Sequence, residues 1–244
     1  MPISEVGHAR NISAFEQMIS YVTAYGGDYN PSNANISLAK LTNKLNASNT
    51  AMDDVMTKVA AYTTAVNVRE NAFKPLGPTV TRAVNYYAST GTEDNKVADA
   101  KSLNRKVQGK RATPAKKDDP STPEDESKGS HSASQQSYTQ KVEHLDGIIE
   151  LFKSDGLYNP NENDIKTAQL DALSVTLKSA NTGVINAITD RSNSRIDRNE
   201  VLYKDGTGLY ALAMLVKKYV KALFGASSPE YKQVSKLRFR NEEL

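Results

Sequence analysis

A chain of 244 residues, 38% of them hydrophobic, can bury a sizeable core and has room for one or two domains. With no cysteine and a net charge of +3, it has no disulfide framework and no thiolate chemistry, and its charge is too small to dictate a partner. No stretch approaches the roughly 18 apolar residues of a membrane span, and Met1 to Ser13 lacks an apolar signal segment, so a cytoplasmic protein with no membrane span is expected.

The first predicted helix runs from Ala14 to Tyr25, where Phe15, Met18, Ile19 and Val22 share one face at three- and four-residue steps. Ser13 is its expected cap and Gly26-Gly27 its stop. The turn Gly27-Asp28-Tyr29-Asn30-Pro31 follows, in which Asn30 before proline favours extended or turn geometry. A long seam comes next: Leu38, Leu41, Leu45, Ser48, Met52, Val55, Val59, Tyr62, Val66, Arg69 and Phe73 keep a 3-4 spacing. Such spacing predicts one coiled-coil-like helix. Lys74-Pro75-Leu76-Gly77-Pro78 should break it. Two shorter helices are then predicted, from Thr79 to Ser89 and from Glu93 to Gln108, the second one basic.

Residues 109–136 differ in kind. They are rich in Lys, Asp, Pro, Ser and Glu and nearly free of apolar residues, the composition of a flexible charged linker. Beyond them the landmarks return in the same order. Tyr138 to Lys153 is a predicted helix, Gly156-Leu157-Tyr158-Asn159-Pro160 repeats the turn, and Leu170, Leu173, Leu177, Ala180, Val184 and Ala187 restart the seam. Asp205-Gly206-Thr207-Gly208 makes the next break, Leu209 to Phe224 is the most apolar helix, and Ser228 and Pro229 cap and start a short last one. Lys236-Leu237-Arg238-Phe239-Arg240 echoes Ser102-Leu103-Asn104-Arg105-Lys106. The expected fold is all-α, with two homologous helical-bundle repeats, 1–108 and 137–244, each built around one long coiled-coil-like helix.

The second long helix carries a polar run, Thr189 to Glu200. By periodicity Arg191, Ser194 and Arg198 stand in its seam. A core accepts such charges only when they are paired, so either this part meets solvent or Arg191, Arg195 and Arg198 meet acidic or phosphate groups. Basic residues also gather at the end of each half. In the second, Lys217, Lys218, Lys221, Lys232, Lys236, Arg238 and Arg240 are interleaved with Tyr219, Tyr231 and Phe239. Basic plus aromatic is a composition that nucleic-acid contacts use, although no known recognition motif accompanies it.

Enzyme chemistry has little to stand on. His8, His131 and His144 show no metal-ligand spacing, Asp155 to Asp164 lacks the calcium-loop pattern, and Gly206-Thr207-Gly208 lacks the glycine and lysine of a phosphate loop. Tyr29 and Tyr158 are expected to pack at helix corners. No catalytic residue, metal or cofactor is assigned. The sequence therefore points to a non-enzymatic scaffold or interaction protein that binds another protein or itself. The alternatives are a polyanion binder acting on nucleic acid or the ribosome, and a small-ligand binder or enzyme with its site between the repeats. The candidate partner-binding residues are Arg191, Arg195, Arg198, Lys232, Lys236, Arg238 and Arg240.

The closing stretch resembles a group of uncharacterised bacterial helical proteins, mainly of Bacteroidota. The residues that carry this are Arg198-Asn199-Glu200-Val201-Leu202-Tyr203, Thr207-Gly208-Leu209, Val216-Lys217-Lys218-Tyr219-Val220 and Phe224 to Lys232. The resemblance covers the second half directly and the first only through the repeat. It implies a bacterial all-helical module and, since no activity attaches to the group, carries no functional residue across.

Overall fold

In the computed structural model of the protein, residues 6–110 and 137–241 are described, and their regular elements are all helical. The charged linker expected over 109–136 lies, from residue 111 on, outside the described residues. The helices are α1 (Val6–Ala24), α2 (Leu38–Phe73), α3 (Leu76–Ser89), α4 (Asp94–Gln108), α5 (Tyr138–Ser154), α6 (Thr167–Tyr203), α7 (Leu209–Phe224) and α8 (Pro229–Lys236).

Two boundaries differ from expectation. α1 begins at Val6, because His8 and Asn11 are buried polar residues that carry the 3-4 stripe of Phe15, Met18 and Val22 back toward the N-terminus. α3 begins at Leu76, so Pro78 falls in its first turn, where a missing N–H leaves no helical bond unmade. α6 runs through the whole polar stretch to Tyr203, up to the break expected at Asp205-Gly206.

The long-helix seams recur in steps of seven. In α2 the buried positions are Leu41, Ser48 and Val55. In α6 Leu170, Leu177, Val184 and Arg198 are buried, and Arg191, between the last two, is half-buried. That period is the one knobs-into-holes packing needs.

Two compact units form. The first comprises Met1–Tyr62 and Ala187–Leu244, the second Thr63–Asn186. Neither follows the 1–108 and 137–244 division, since each takes helices from both halves, and α2 and α6 contribute to both.

In the first unit, Ile12, Phe15, Met18 and Val22 of α1 meet Leu202 and Tyr203 of α6 and Leu209, Leu212, Val216 and Val220 of α7, with Val234 of α8 completing the core. In the second, Leu76, Val80 and Tyr87 of α3 pack with Leu145, Ile148, Ile149 and Phe152 of α5 and Leu170 and Leu177 of α6. Each fully buried side chain of this size contributes about 1.5–3 kcal/mol as area removed from water. α4 joins α5 closely: a Cβ on Gly147 would sit 3.4 Å from Leu103 Cδ1.

The two Tyr-Asn-Pro turns have matching geometry. Tyr29 donates its hydroxyl to the Ile36 carbonyl at 2.7 Å, and Tyr158 donates to Ile165 at 2.6 Å. Each bond closes the one-turn 3₁₀ segment that leads into a long helix. Tyr29 also meets Tyr219 edge-on at 5.3 Å, and Tyr158 meets Tyr86 in the same way at 5.4 Å. Burial raises both phenol pKa values, so these hydroxyls stay neutral donors.

Candidate functional site

The chain after α8 forms the most distinctive surface of the first unit. α8 starts at Pro229 with the Ser228 side chain accepting from the Tyr231 amide at 3.1 Å, and it ends at Lys236. Residues 237–241 then run without regular structure, and Leu237 at the helix end is already extended, with φ −65° and ψ 123°. Leu237-Arg238-Phe239-Arg240 alternates apolar with charged, the period of an extended chain with one face on a core. Leu237 and Phe239 pack against the core while Arg238 and Arg240 are exposed.

This strap is fastened from two helices. Asn11 of α1 accepts the Arg240 amide at 3.0 Å and donates to the Arg240 carbonyl at 2.7 Å. That exchange meets both backbone needs of an extended residue that has no neighbouring strand. The Asn11 amide also donates to the Tyr203 hydroxyl at 3.1 Å, and His8 Nδ1 lies 2.7 Å from the same oxygen. From α7, Lys217 donates to the Leu237 carbonyl and sits 5.3 Å over the Phe239 ring; burial lowers its pKa. Lys217 is therefore part of the scaffold.

On α7, α8 and the strap, Lys218, Lys221, Lys232, Lys236, Arg238 and Arg240 are all exposed. None of the six forms an ion pair with a described residue. Lys221 lies 5.8 Å over Tyr231. Lysine and arginine clearly outnumber Asp and Glu among the described residues of this unit, and the two nearly balance in the second.

The predicted partner-binding set therefore splits. Lys232, Lys236, Arg238 and Arg240 share the exposed end. Arg191 is half-buried with its guanidinium 4.0 Å over the Tyr62 ring, beside the Lys58–Asp190 pair at 3.3 Å. Arg195 is half-buried as well. Arg198 is only 1% exposed and donates through Nε and Nη2 to Asn199 Oδ1 at 3.1 and 2.7 Å. The reason is periodicity: Arg191 and Arg198 occupy the seven-step positions of Leu170, Leu177 and Val184, so the helix turns them inward. The first predicted helix, begun at Ala14, left out His8 and Asn11. The signal was there, since 8, 11, 15, 18 and 22 keep the 3-4 spacing.

The second unit holds its polar chemistry inside. Asp155 is buried and accepts from the Thr92 hydroxyl, from Tyr87 at 2.9 Å and from the Leu157 amide at 3.1 Å, with Lys96 3.9 Å away. The Thr92 bond first, then those of Leu157 and Tyr87, hold its carboxyl below the usual range. Burial lowers the His144 pKa. An open groove of about 490 Å³ is lined by Ala65, Val68 and Ala72 of α2 and by Val175, Thr176, Ser179, Ala180 and Gly183 of α6. Two hydroxyls apart, that lining is apolar and contains no titratable group. Among the described residues no group of His, Asp and Glu is placed to hold a metal ion, and no helix is long and apolar enough to cross a membrane.

No protein-family model, no curated protein and no solved structure matches the chain.

Proposed function

We propose that the protein is a non-enzymatic helical interaction protein, built by duplication of one helical unit, that engages an acidic partner through the basic end of its first unit. The observation that carries the function is the set of six exposed cations on the packed helices α7 and α8 and on the strap, none of them ion-paired among the described residues. Exposed charges in high-dielectric water add little to stability, so six like charges on neighbouring elements serve association better than folding. Two buried polar groups are already committed to structural bonds: Asp155 to Tyr87, Thr92 and Leu157, and Asn11 to Arg240 and Tyr203.

Duplication is supported by the paired turns. A tyrosine of the first half packs on a ring of the second, and a tyrosine of the second packs on a ring of the first. Helix faces exchanged in this way leave each half without its own core, which favours one continuous chain over two separable domains.

The test is retention of the full chain on immobilised heparin and on immobilised polyglutamate. Retention on at least one at about 50 mM salt, largely lost at about 200 mM, is expected from counterion release. Replacing Lys232, Lys236, Arg238 and Arg240 by alanine should advance elution well beyond the same change at four exposed lysines of the second unit, Lys74, Lys101, Lys110 and Lys166. Absence of retention on both matrices, or equal shifts for the two quadruple variants, overturns the proposal.

A further inference from the structure

We infer that the acidic partner is a nucleic acid, gripped along its phosphodiester backbone and not read through its bases. This rests on the acidic-partner function proposed above and goes beyond it in naming the chemistry. The basis is spacing. Lys232 and Lys236 stand one helical turn apart on the same side of α8 and are both exposed, which puts their stems about 6 Å apart. Arg238 and Arg240 are two residues apart on an extended strap and are also exposed, which puts them on one side at about 6.5–7 Å. Two different elements, joined end to end, thus present four cations at nearly the same interval.

A phosphodiester strand is a ladder of single negative charges, one per nucleotide. Carboxylates on a folded acidic protein keep such an interval only along one face of a short helix, whereas a phosphodiester strand keeps it along its whole length. Two of the four cations are arginines, whose planar forks fit phosphate oxygens in pairs, and they sit on the strap whose backbone is fixed by Asn11. The guanidinium groups are therefore mounted on a rigid base while their ends stay free for a ligand.

Base recognition by stacking needs open aromatic faces, and these are taken. Phe239 carries Lys217 at 5.3 Å and Tyr231 carries Lys221 at 5.8 Å, while both rings pack partly into the first-unit core. What remains for the ligand is backbone contact. The expected behaviour is steep salt dependence with little sequence preference.

Fluorescence anisotropy of the full chain with labelled single-stranded DNA and RNA, in mixed sequence and as homopolymers, tests this between about 50 and about 200 mM salt. The expected result is binding that varies by no more than a few fold among sequences. The variants Lys232→Ala/Lys236→Ala and Arg238→Ala/Arg240→Ala should each lower the slope of log affinity against log salt by about two, one for each lost phosphate contact. Melting curves followed by circular dichroism check that these exposed substitutions leave the fold intact. Retention on polyglutamate or heparin without binding to either nucleic acid overturns the inference and leaves the acidic-partner function standing. Absence of binding to every polyanion removes both. A preference above about tenfold for one sequence removes the backbone-only claim, and wild-type affinity in both double variants removes the assigned surface.

Discussion

The last turn of α4 and the strap after α8 carry similar residues and take different shapes. Ser102-Leu103-Asn104-Arg105-Lys106 is helical, and Gly109, in the left-handed region at φ 69°, ends α4 by donating its amide to the Arg105 and Lys106 carbonyls. Lys236-Leu237-Arg238-Phe239-Arg240 leaves the helix at once. The difference lies in the period of the apolar residues. Leu103 and Val107 are four apart, which suits one helix face, whereas Leu237 and Phe239 are two apart and reach a core together only from an extended chain. An extended end needs partners for its backbone, and Asn11 supplies them. Two basic ends of similar composition thus become a helix terminus in the second unit and a cationic strap in the first.

The largest effect is expected from removing that partner. Asn11→Ala strips both backbone bonds from Arg240 and one from the buried Tyr203 hydroxyl, for a loss of about 3 kcal/mol. Hydrogen exchange at 237–241 should rise toward that of an unprotected segment, with the α4 terminus unchanged. If the two ends stay equally protected, Lys217, Leu237 and Phe239 hold the strap without Asn11.

How much of this was legible can be judged residue by residue. The alternation at 237–240 is plain in the sequence, but its fastening was not, because Asn11 lies more than two hundred residues away and its polarity argues against burial. In the same way the periodicity marked Arg191 and Arg198 as seam positions, while their charge argued for solvent. Geometry prevailed because Asn199, the next residue, accepts from Arg198 and the fold brings the Tyr62 ring to Arg191.

The paired turns sharpen the comparison in the opposite direction, since there the units should behave alike. Tyr29→Phe and Tyr158→Phe each remove one buried hydrogen bond to a carbonyl, and each should cost about 1–2 kcal/mol in thermal or denaturant unfolding. A large inequality between them would show that only one turn holds its unit together.

Acid separates the units more gently. The folded-state pKa of Asp155 is depressed, so its contribution to stability is complete above the unfolded carboxylate value of about 3.9 and is lost as pH falls through that value toward the lower folded one. The second unit should loosen first on acidification from about pH 5 downward, and Asp155→Asn should flatten that limb of the stability profile. An unchanged acid limb in the variant would assign the loss to other carboxylates.

The smallest change is a gain. Gly183 lies inside α6 in the second unit, and a Cβ there would meet nothing within 4 Å. Gly183→Ala should therefore stabilise by about 0.5–1 kcal/mol through helix propensity, read as a small rise in melting temperature.

By itself the sequence determined the helices, their breaks at the glycine- and proline-rich turns, and the stripes that each must bury. Those are local consequences of backbone geometry and apolar spacing. Only the tertiary structure decided which stripes meet. α1 packs on α7 and α8, and α5 on α3 and α4, because an apolar face specifies that it must be covered but not by which of several similar faces. The same choice drew Arg198 inside and left Arg238 and Arg240 outside, although in the sequence all three are arginines of the same half.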